Sequence, residues 1–305
     1  MAIDTVKVTV NGTTVTAIDN GNGTYTASLA APNITSYNVN SGHYYPVTIV
    51  ATNKAGTATT VNDQTATLGE LLRLRVKELT APTITISSPT SGQYLGTASP
   101  SITFTLTDEA NGSGVAINTL KIVVDNVTYT NTSAGVTIST ITNGYSVTCV
   151  PSALTDGSHT LTISVDDNDG NHATSTSISF ITDTIAPTLS VSNPAANGTY
   201  VSNPSLTVTG TTADSTSGTP TVTITLNGVN QGDVAVSNGS FSKGVTLLNG
   251  ANTIVVTATD KAGRVTTITR TITLDSSTPV VASVVINPNP VNIGENYTVT
   301  IAVTG

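Results

Sequence analysis

The chain has 305 residues, of which 9% are charged and 37% are apolar, and 10 Lys and Arg against 18 Asp and Glu give a net charge of −8. The charged fraction of an average soluble protein is about a quarter, and here Thr, Ser, Asn and Gly take that place. The lack of a basic excess excludes a nucleic-acid-binding protein. No apolar run approaches the roughly 18 residues of a membrane-spanning helix, and a single cysteine excludes an intrachain disulfide.

The first residues, MAIDTVKVTVNG, contain neither the basic segment nor the apolar core of a secretion signal. They enter directly into alternating apolar and polar residues. We therefore expect a protein that does not use classical secretion.

Val, Ile and Leu alternate with Thr along nearly the whole chain, which predicts strands with one buried face. Three matching hairpins are predicted at 45–60, 159–176 and 252–269, each with a Gly-containing turn of the kind that needs positive φ. Each is preceded by a strand that ends in a turn, at 3–15, 117–129 and 219–231. A repeated set of short strands without helical periodicity predicts an all-β protein of tandem immunoglobulin-like sandwiches.

Pro-containing linkers mark the predicted boundaries, because Pro removes a ladder donor and is confined to strand starts and sheet edges. We predict sandwiches at 1–79, 80–184 and 185–276, followed by a two-strand segment at 277–305. The second and third domains each begin with two strands that have no counterpart in the first domain, whose first strand starts at Thr5. The first domain is therefore predicted to lack its first two strands.

Residues 68–79, LGELLRLRVKEL, contain helix-forming residues, but Leu72, Leu74 and Val76 alternate with charged residues. Alternation of this kind indicates a strand with one charged face, and charges of this kind protect the edge of a sheet. The segment is predicted as the closing strand of the first domain.

Candidate chemistry is sparse. Cys149 is in register with Tyr145 and Val147, which predicts a small buried side chain rather than a nucleophile. The run DDNDGNH at 166–172 offers Asp167 and Asp169 as oxygen ligands for calcium, with Asp108 and Glu109 as further candidates. The equivalent turns carry Lys where a ligand would fall, so a plain hairpin turn is the preferred interpretation. We expect no cofactor, and no effect of EDTA on the melting temperature.

The linker DTIAPTLSVSNP, the hairpin VTATDKAG and the segment TDEANGSGVAINTLKIVVDN resemble bacterial Ig-like repeats. Such repeats are similar to those of extracellular adhesins and of tail-associated proteins of phages that infect Gram-positive bacteria. The resemblance implies a non-enzymatic structural or adhesive role in a phage tail, with a virion location. A bacterial surface adhesin or stalk is the alternative, and an accessory module of a carbohydrate-active enzyme is a third.

The last predicted strand alternates as the second strand of the other domains does, and the residues expected on its core face are Tyr297, Val299, Ile301 and Val303. Three explanations compete for this segment. The chain is cut inside a fourth domain, the segment lies against the third domain, or it completes the first domain of a neighbouring copy by strand donation. The last is preferred, and it predicts oligomers or fibres that deletion of residues 281–305 converts to monomers.

The expected partners are other copies of the chain or other tail proteins, and a glycan or protein of the host surface. Tyr44, Tyr45, Tyr94 and Tyr200 lie near strand ends, where they either stack on sugars or cap the sandwich core. Capping is the preferred interpretation.

Overall fold

The computed structural model describes residues 2–32 and 36–305, and the predicted all-β fold of tandem sandwiches is confirmed. The chain divides into two compact units, Met1–Gln93 with Ala98–Thr182, and Tyr94–Thr97 with Asp183–Gly305. Among the described residues, no helix has the length and apolar character needed to cross a membrane. The domain boundaries predicted at 79, 184 and 276 remain predictions.

The first part of unit 1 contains seven strands in its described residues: β1 (Ile3–Val10), β2 (Thr13–Thr16), β3 (Ile18–Asp19), β4 (Tyr25–Thr26), β5 (Tyr45–Asn53), β6 (Ala58–Val61) and β7 (Arg73–Leu74). One antiparallel sheet has the order β2-β1-β5-β6, and β7 pairs with the start of β5. A 3₁₀ helix covers Tyr37–Val39. The turn between β1 and β2 is tight because Asn11 and Gly12 both adopt positive φ, 48° and 78°.

The prediction of a continuous strand at 68–79 is wrong. A 3₁₀ helix covers Gly69–Leu72, and only Arg73–Leu74 pairs in a ladder. The partners are Tyr45 and Pro46, at the very start of β5, so the partner strand extends no further in that direction. The predicted alternation itself is present, because Leu72 and Leu74 are more buried than the flanking Leu71 and Arg75.

Residues 80–184, all of which the structure describes, form nine strands: β8 (Thr83–Ser88), β9 (Tyr94–Leu95), β10 (Ile102–Thr107), β11 (Val115–Val124), β12 (Val127–Tyr129), β13 (Val136–Ile141), β14 (Gly144–Cys149), β15 (Gly157–Asp167) and β16 (Thr176–Thr182). About seven were expected, and the short β9 and β12 account for the difference. One sheet has the order β13-β14-β10-β8, and the facing sheet contains β12-β11-β15-β16. The apolar residues of both inner faces form the core.

Burial in this sandwich follows the predicted alternation with one exception. Val147, Ile163 and Val165 are buried as predicted, and so is Cys149. Tyr145 is only half-buried, because it lies at the end of β14, opposite Leu106, where the sheet gives way to the Asn143–Gly144 turn.

Residues 185–305 of unit 2 form eleven strands, all described: β17 (Thr188–Asn193), β18 (Thr199–Val201), β19 (Ser205–Ala213), β20 (Thr221–Leu226), β21 (Val229–Asn230), β22 (Val236–Ser237), β23 (Ser240–Thr246), β24 (Gly250–Thr259), β25 (Val265–Leu274), β26 (Val280–Asn287) and β27 (Thr298–Thr304). The sheets β17-β19-β23-β22 and β18-β25-β24-β20-β21 enclose one core. Two Asn-Gly turns, at Asn227–Gly228 and Asn238–Gly239, again have positive φ at both residues. The last two strands, β26 and β27, pair only with each other.

A shared side-chain device closes the turn after β5, β15 and β24. The side-chain oxygen of Asn53 accepts from the amides of Ala55 and Thr57, each at 2.9 Å. Asp167 and Asp260 stand at the same position and accept from amides of their own turns. An oxygen-bearing side chain that bonds its own backbone fixes such a turn without a metal.

Candidate functional site

The C-terminal hairpin of β26 and β27 is exposed on both faces. Every residue from 275 to 305 is exposed, and Val299 and Ile301 retain 47% and 55% of their accessible surface. Opposite them in the ladder lie Ile286 and Val284, so one face of the hairpin is a continuous apolar surface. We call it the hairpin face: Val284, Ile286, Tyr297, Val299, Ile301 and Val303.

The same hairpin exists in buried form in unit 1. In β8 and β10, Phe104 pairs with Ile86 and Leu106 pairs with Ile84, which is the pattern that Val299 and Ile301 follow in β27. Phe104 and Leu106 are 1% and 0% exposed because a second sheet covers them. The hairpin face thus has the sequence and pairing of a core element without the core.

The sheet of β1 and β5 shows the complementary mismatch. Its equivalent in residues 80–184 is covered by a second sheet, whereas this sheet is covered only in part. Val8 pairs with Ile49 there, as Ile122 pairs with Ile163 in β11 and β15. Ile122 and Ile163 are fully buried, whereas Val8 and Ile49 are only half-buried. Among the described residues of the first part of unit 1, the only strands outside this sheet are the two-residue β3 and β4, and no hairpin corresponds to β8 and β10. We call this surface the open face: Val8, Val47 and Ile49 are half-buried there, and Val6 and Val10 beside them are buried.

The predicted calcium ligands are divided between two places. Asp108 and Glu109 lie with Glu78 in one group, whose carboxylate oxygens all lie within 4.8 Å of one another. Asp167 borders this group, because its carboxylate is hydrogen-bonded to Glu78, but its Oδ1 already accepts from the Asp169, Gly170 and Asn171 amides.

Asp169 has a structural task instead. Its carboxylate accepts from Ser36 Oγ at 2.7 Å, from Asn38 Nδ2 at 2.6 Å and from the Glu78 amide at 2.9 Å. Ser36 and Asp169 are both buried. Asp169 therefore joins the turn after β15 to the first part of unit 1 and carries no free oxygen toward the acidic group.

A second acidic group, which sequence reasoning missed, lies in unit 2 and consists of Asp183, Asp214 and Asp260. Its members match the first group by position. Asp183 and Glu78 each stand four residues before a Pro that opens a sandwich, at Pro187 and Pro82. Asp214 follows β19 as Asp108 follows β10, and Asp260 follows β24 as Asp167, which borders the first group, follows β15. The repeated acid before Pro is the sequence signal that could have revealed both groups.

Burial perturbs the protonation of the first group. Burial, and then the neighbouring Asp167 carboxyl, raises the pKa of Glu78 to about 7. Burial, and then Glu109, raises the pKa of Asp108 to about 6. In unit 2, burial likewise raises the pKa of Asp183. In each group, burial and a neighbouring carboxyl therefore disfavour the charged form of at least one acid.

The reactive side chains of the chain do not form a catalytic site among the described residues. His43 bonds the Asn38 carbonyl, His159 bonds Asp125 at 2.8 Å, and His172 bonds Asp166 at 2.6 Å. Cys149 is fully buried, and burial raises the pKa of its thiol to about 11. A thiol of this kind is inert as a nucleophile.

The four tyrosines differ in their surroundings. Tyr45 is buried, and the Tyr44 hydroxyl donates to Asp63 at 2.7 Å under the Arg73 guanidinium. Lys261 lies over the Tyr94 ring, 5.1 Å from its centroid. Only Tyr200 among these four is largely exposed.

Two family models match adjoining parts of the chain. Residues 80–184 match the bacterial Ig-like domain, and residues 187–276 match domain B of glucodextranase. No curated protein sequence matches the chain. The two matches support a tandem Ig-like protein, of a fold type that is typically non-catalytic.

Solved structures of similar fold are distant. Fibronectin(III)-like modules of Clostridium thermocellum CbhA are 19% identical, with a TM-score of 0.42, over 63% of this chain and 94% of theirs. A tetra-tandem repeat from the extending region of a large adhesion protein is 19% identical, with a TM-score of 0.33, over 99% and 80%. A 1.5-MDa bacterial ice-binding adhesin is 21% identical, with a TM-score of 0.33, over 90% and 88%. With scores this low, these likenesses carry no argument about binding or function.

Proposed function

We propose that this chain is a non-enzymatic structural and adhesive component of a phage tail or tail-like particle, and that its copies join head to tail by strand donation. In this assembly, the hairpin face of one copy covers the open face of the next. The observation that carries the proposal is a mismatch in burial. One molecule presents an exposed core hairpin and a sheet in which Val8 and Ile49 are only half-buried, and both have fully buried counterparts within residues 80–184.

The energetics favour such a contact. An isolated two-stranded hairpin is marginal in water, and burying an exposed Val or Ile stabilises by about 1.5–3 kcal/mol. Burial of the six residues of the hairpin face therefore opposes the entropic cost of ordering and association, and the hairpin is already formed before it binds. Because the donor and acceptor surfaces differ, the contact is heterologous and produces a ring or a filament. Many weak surface contacts along such an assembly add by multivalency.

The phage-tail placement rests on the resemblance of the linkers and hairpins, and a bacterial surface adhesin is the second candidate. Immunogold labelling with an antibody against the chain separates them. Labelled tails on purified virions support the first candidate, and labelled cell surfaces without virions support the second.

Sedimentation of the full-length protein over a concentration series tests donation. We expect mass to increase with concentration, and Val299→Asp with Ile301→Asp to give monomers, because each substitution places a charge in the buried face. Ile49→Asp on the open face should act in the same way.

The matched control is Thr298→Asp with Thr300→Asp, which adds the same charges to the opposite face of β27. These variants should associate as the parent does. A parent that stays monomeric at every concentration, or a control that dissociates equally, would contradict donation.

A further inference from the structure

The acidic group of unit 2 contains oxygen atoms that no hydrogen-bond donor reaches. Asp183 is fully buried and Asp260 is 7% exposed, yet Oδ2 of each is buried without a partner among the described residues. The buried hydroxyl of Ser217 beside Asp214 is also unpartnered. A buried oxygen without a partner destabilises the folded chain, and more strongly when it is charged. Such atoms therefore indicate a missing ligand.

The geometry of the group fits a hard cation. One oxygen from each of Asp183, Asp214 and Asp260 lies within 4.8 Å of the other two. Calcium binds oxygen at about 2.3–2.6 Å, so two ligands on opposite sides of one ion are about 5 Å apart. No Lys, Arg or His forms an ion pair with these carboxylates in the described chain. The negative charge is therefore not balanced by the protein.

The group of unit 1 repeats the arrangement. Asp108 is 7% exposed, and its Oδ1 is buried without a partner, as is Oε1 of Glu78. In both units acids come from the segment before the first strand and from the loop after β10 or β19. In unit 2 the turn that closes the last hairpin adds Asp260, and in unit 1 Asp167 of the equivalent turn borders the group. Two groups of the same origin in two sandwiches are not accounted for by chance exposure of surface carboxylates.

We propose that each nine-stranded sandwich binds one divalent cation of the calcium type, held by Asp183, Asp214 and Asp260 in unit 2 and by Glu78, Asp108 and Glu109 in unit 1. The cation ties the segment that enters the sandwich to the two loops at the same end. The expectation from sequence was that no ion binds, because the turns equivalent to 166–172 carry Lys54 and Lys261 where a ligand would fall.

Isothermal titration of the EDTA-treated full-length protein with CaCl₂ tests the proposal, together with thermal unfolding in EDTA and in calcium. We expect about two ions per chain and a melting temperature that rises with calcium concentration, because a ligand bound only by the native state stabilises it. Asp260→Asn should remove one ion and the calcium response of unit 2. In EDTA, the same variant should melt at or above the parent temperature, because it relieves carboxylate repulsion.

The matched control is Asp233→Asn, which removes an exposed carboxylate of unit 2 that belongs to neither group. It should keep both ions. Asp214→Asn provides a second variant if Asp260→Asn does not fold, since Asp214 is only partly buried. Absence of calcium binding by the parent, or loss of an ion in the control, would overturn the proposal.

Discussion

His159 in β15 and Asn252 in β24 occupy the same position in two sandwiches. Both are buried polar side chains that need hydrogen-bond partners, and they find different ones. Asn252 is fully buried, and its amide bonds the Leu248 amide and carbonyl and the Asn227 side chain. His159 bonds Asp125 and the Thr155 carbonyl. Each side chain supplies hydrogen-bond partners to backbone groups of the turn that precedes its strand, which an apolar residue of similar size could not do.

At this position, Asn252→Ala should lower the free energy of unfolding of its sandwich by about 2–3 kcal/mol, because the Leu248 amide and carbonyl lose their partners. Urea denaturation monitored by circular dichroism measures the change. Thr269→Ala, at an exposed position of β25, is the control and should stay within about 0.5 kcal/mol of the parent. Equal stability of the two variants would mean that water replaces the Asn252 side chain.

The sequence revealed less of the acidic groups than of these buried positions. The sequence offered Asp167, Asp169 and Asp108 as candidate oxygen ligands, but not Asp183, Asp214 and Asp260, because successive members of that group are 31 and 46 residues apart in the chain. Acids that come together from three separate loops leave no periodic pattern in the local sequence. Asp169 was misassigned for a related reason, since its partners Ser36 and Asn38 belong to a distant segment.

Alternation of Val, Ile and Leu with Thr was sufficient to predict the strands, their inner faces and the equivalence of β1 and β5 with β11 and β15. The 3₁₀ helix at Gly69–Leu72 was not predicted, because the same alternating residues are compatible with an extended segment that does not pair. Only the position of Tyr45 and Pro46 at the start of β5 limits that ladder, and this is a tertiary fact.

Equivalent substitutions in the two sheets should differ in effect. Ile163→Ala should destabilise its sandwich by about 3–4 kcal/mol, because a fully buried side chain leaves a cavity. Ile49→Ala in the half-buried open face should cost about 1 kcal/mol in dilute monomeric protein. Chemical denaturation of both variants at low protein concentration checks the difference. A large, concentration-dependent effect of Ile49→Ala would instead indicate that the open face is already covered by another copy.

In the described part of the chain, segment 275–305 is exposed at every residue, and it is attached to sandwiches whose core residues are nearly inaccessible. Proteolysis follows local opening when opening is faster than cleavage. Limited digestion with proteinase K should therefore remove this segment first and leave a product that ends near Ser276–Thr278. Mass spectrometry of the early fragments checks this. First cleavage within β11 or β15 would contradict it, and slower removal at high protein concentration is expected if donation occurs.

The tight turns at Asn11–Gly12, Asn227–Gly228 and Asn238–Gly239 also determine how the protein ages. An Asn side chain followed by Gly deamidates readily, because no side chain shields the next amide nitrogen from attacking the Asn carbonyl carbon. Each event adds a negative charge to a chain that has few, and the isoaspartate product lengthens the backbone of the turn by one carbon. Deamidation therefore accumulates at the hairpin turns while the ladders between them stay intact. Older protein contains more of the acidic isoforms.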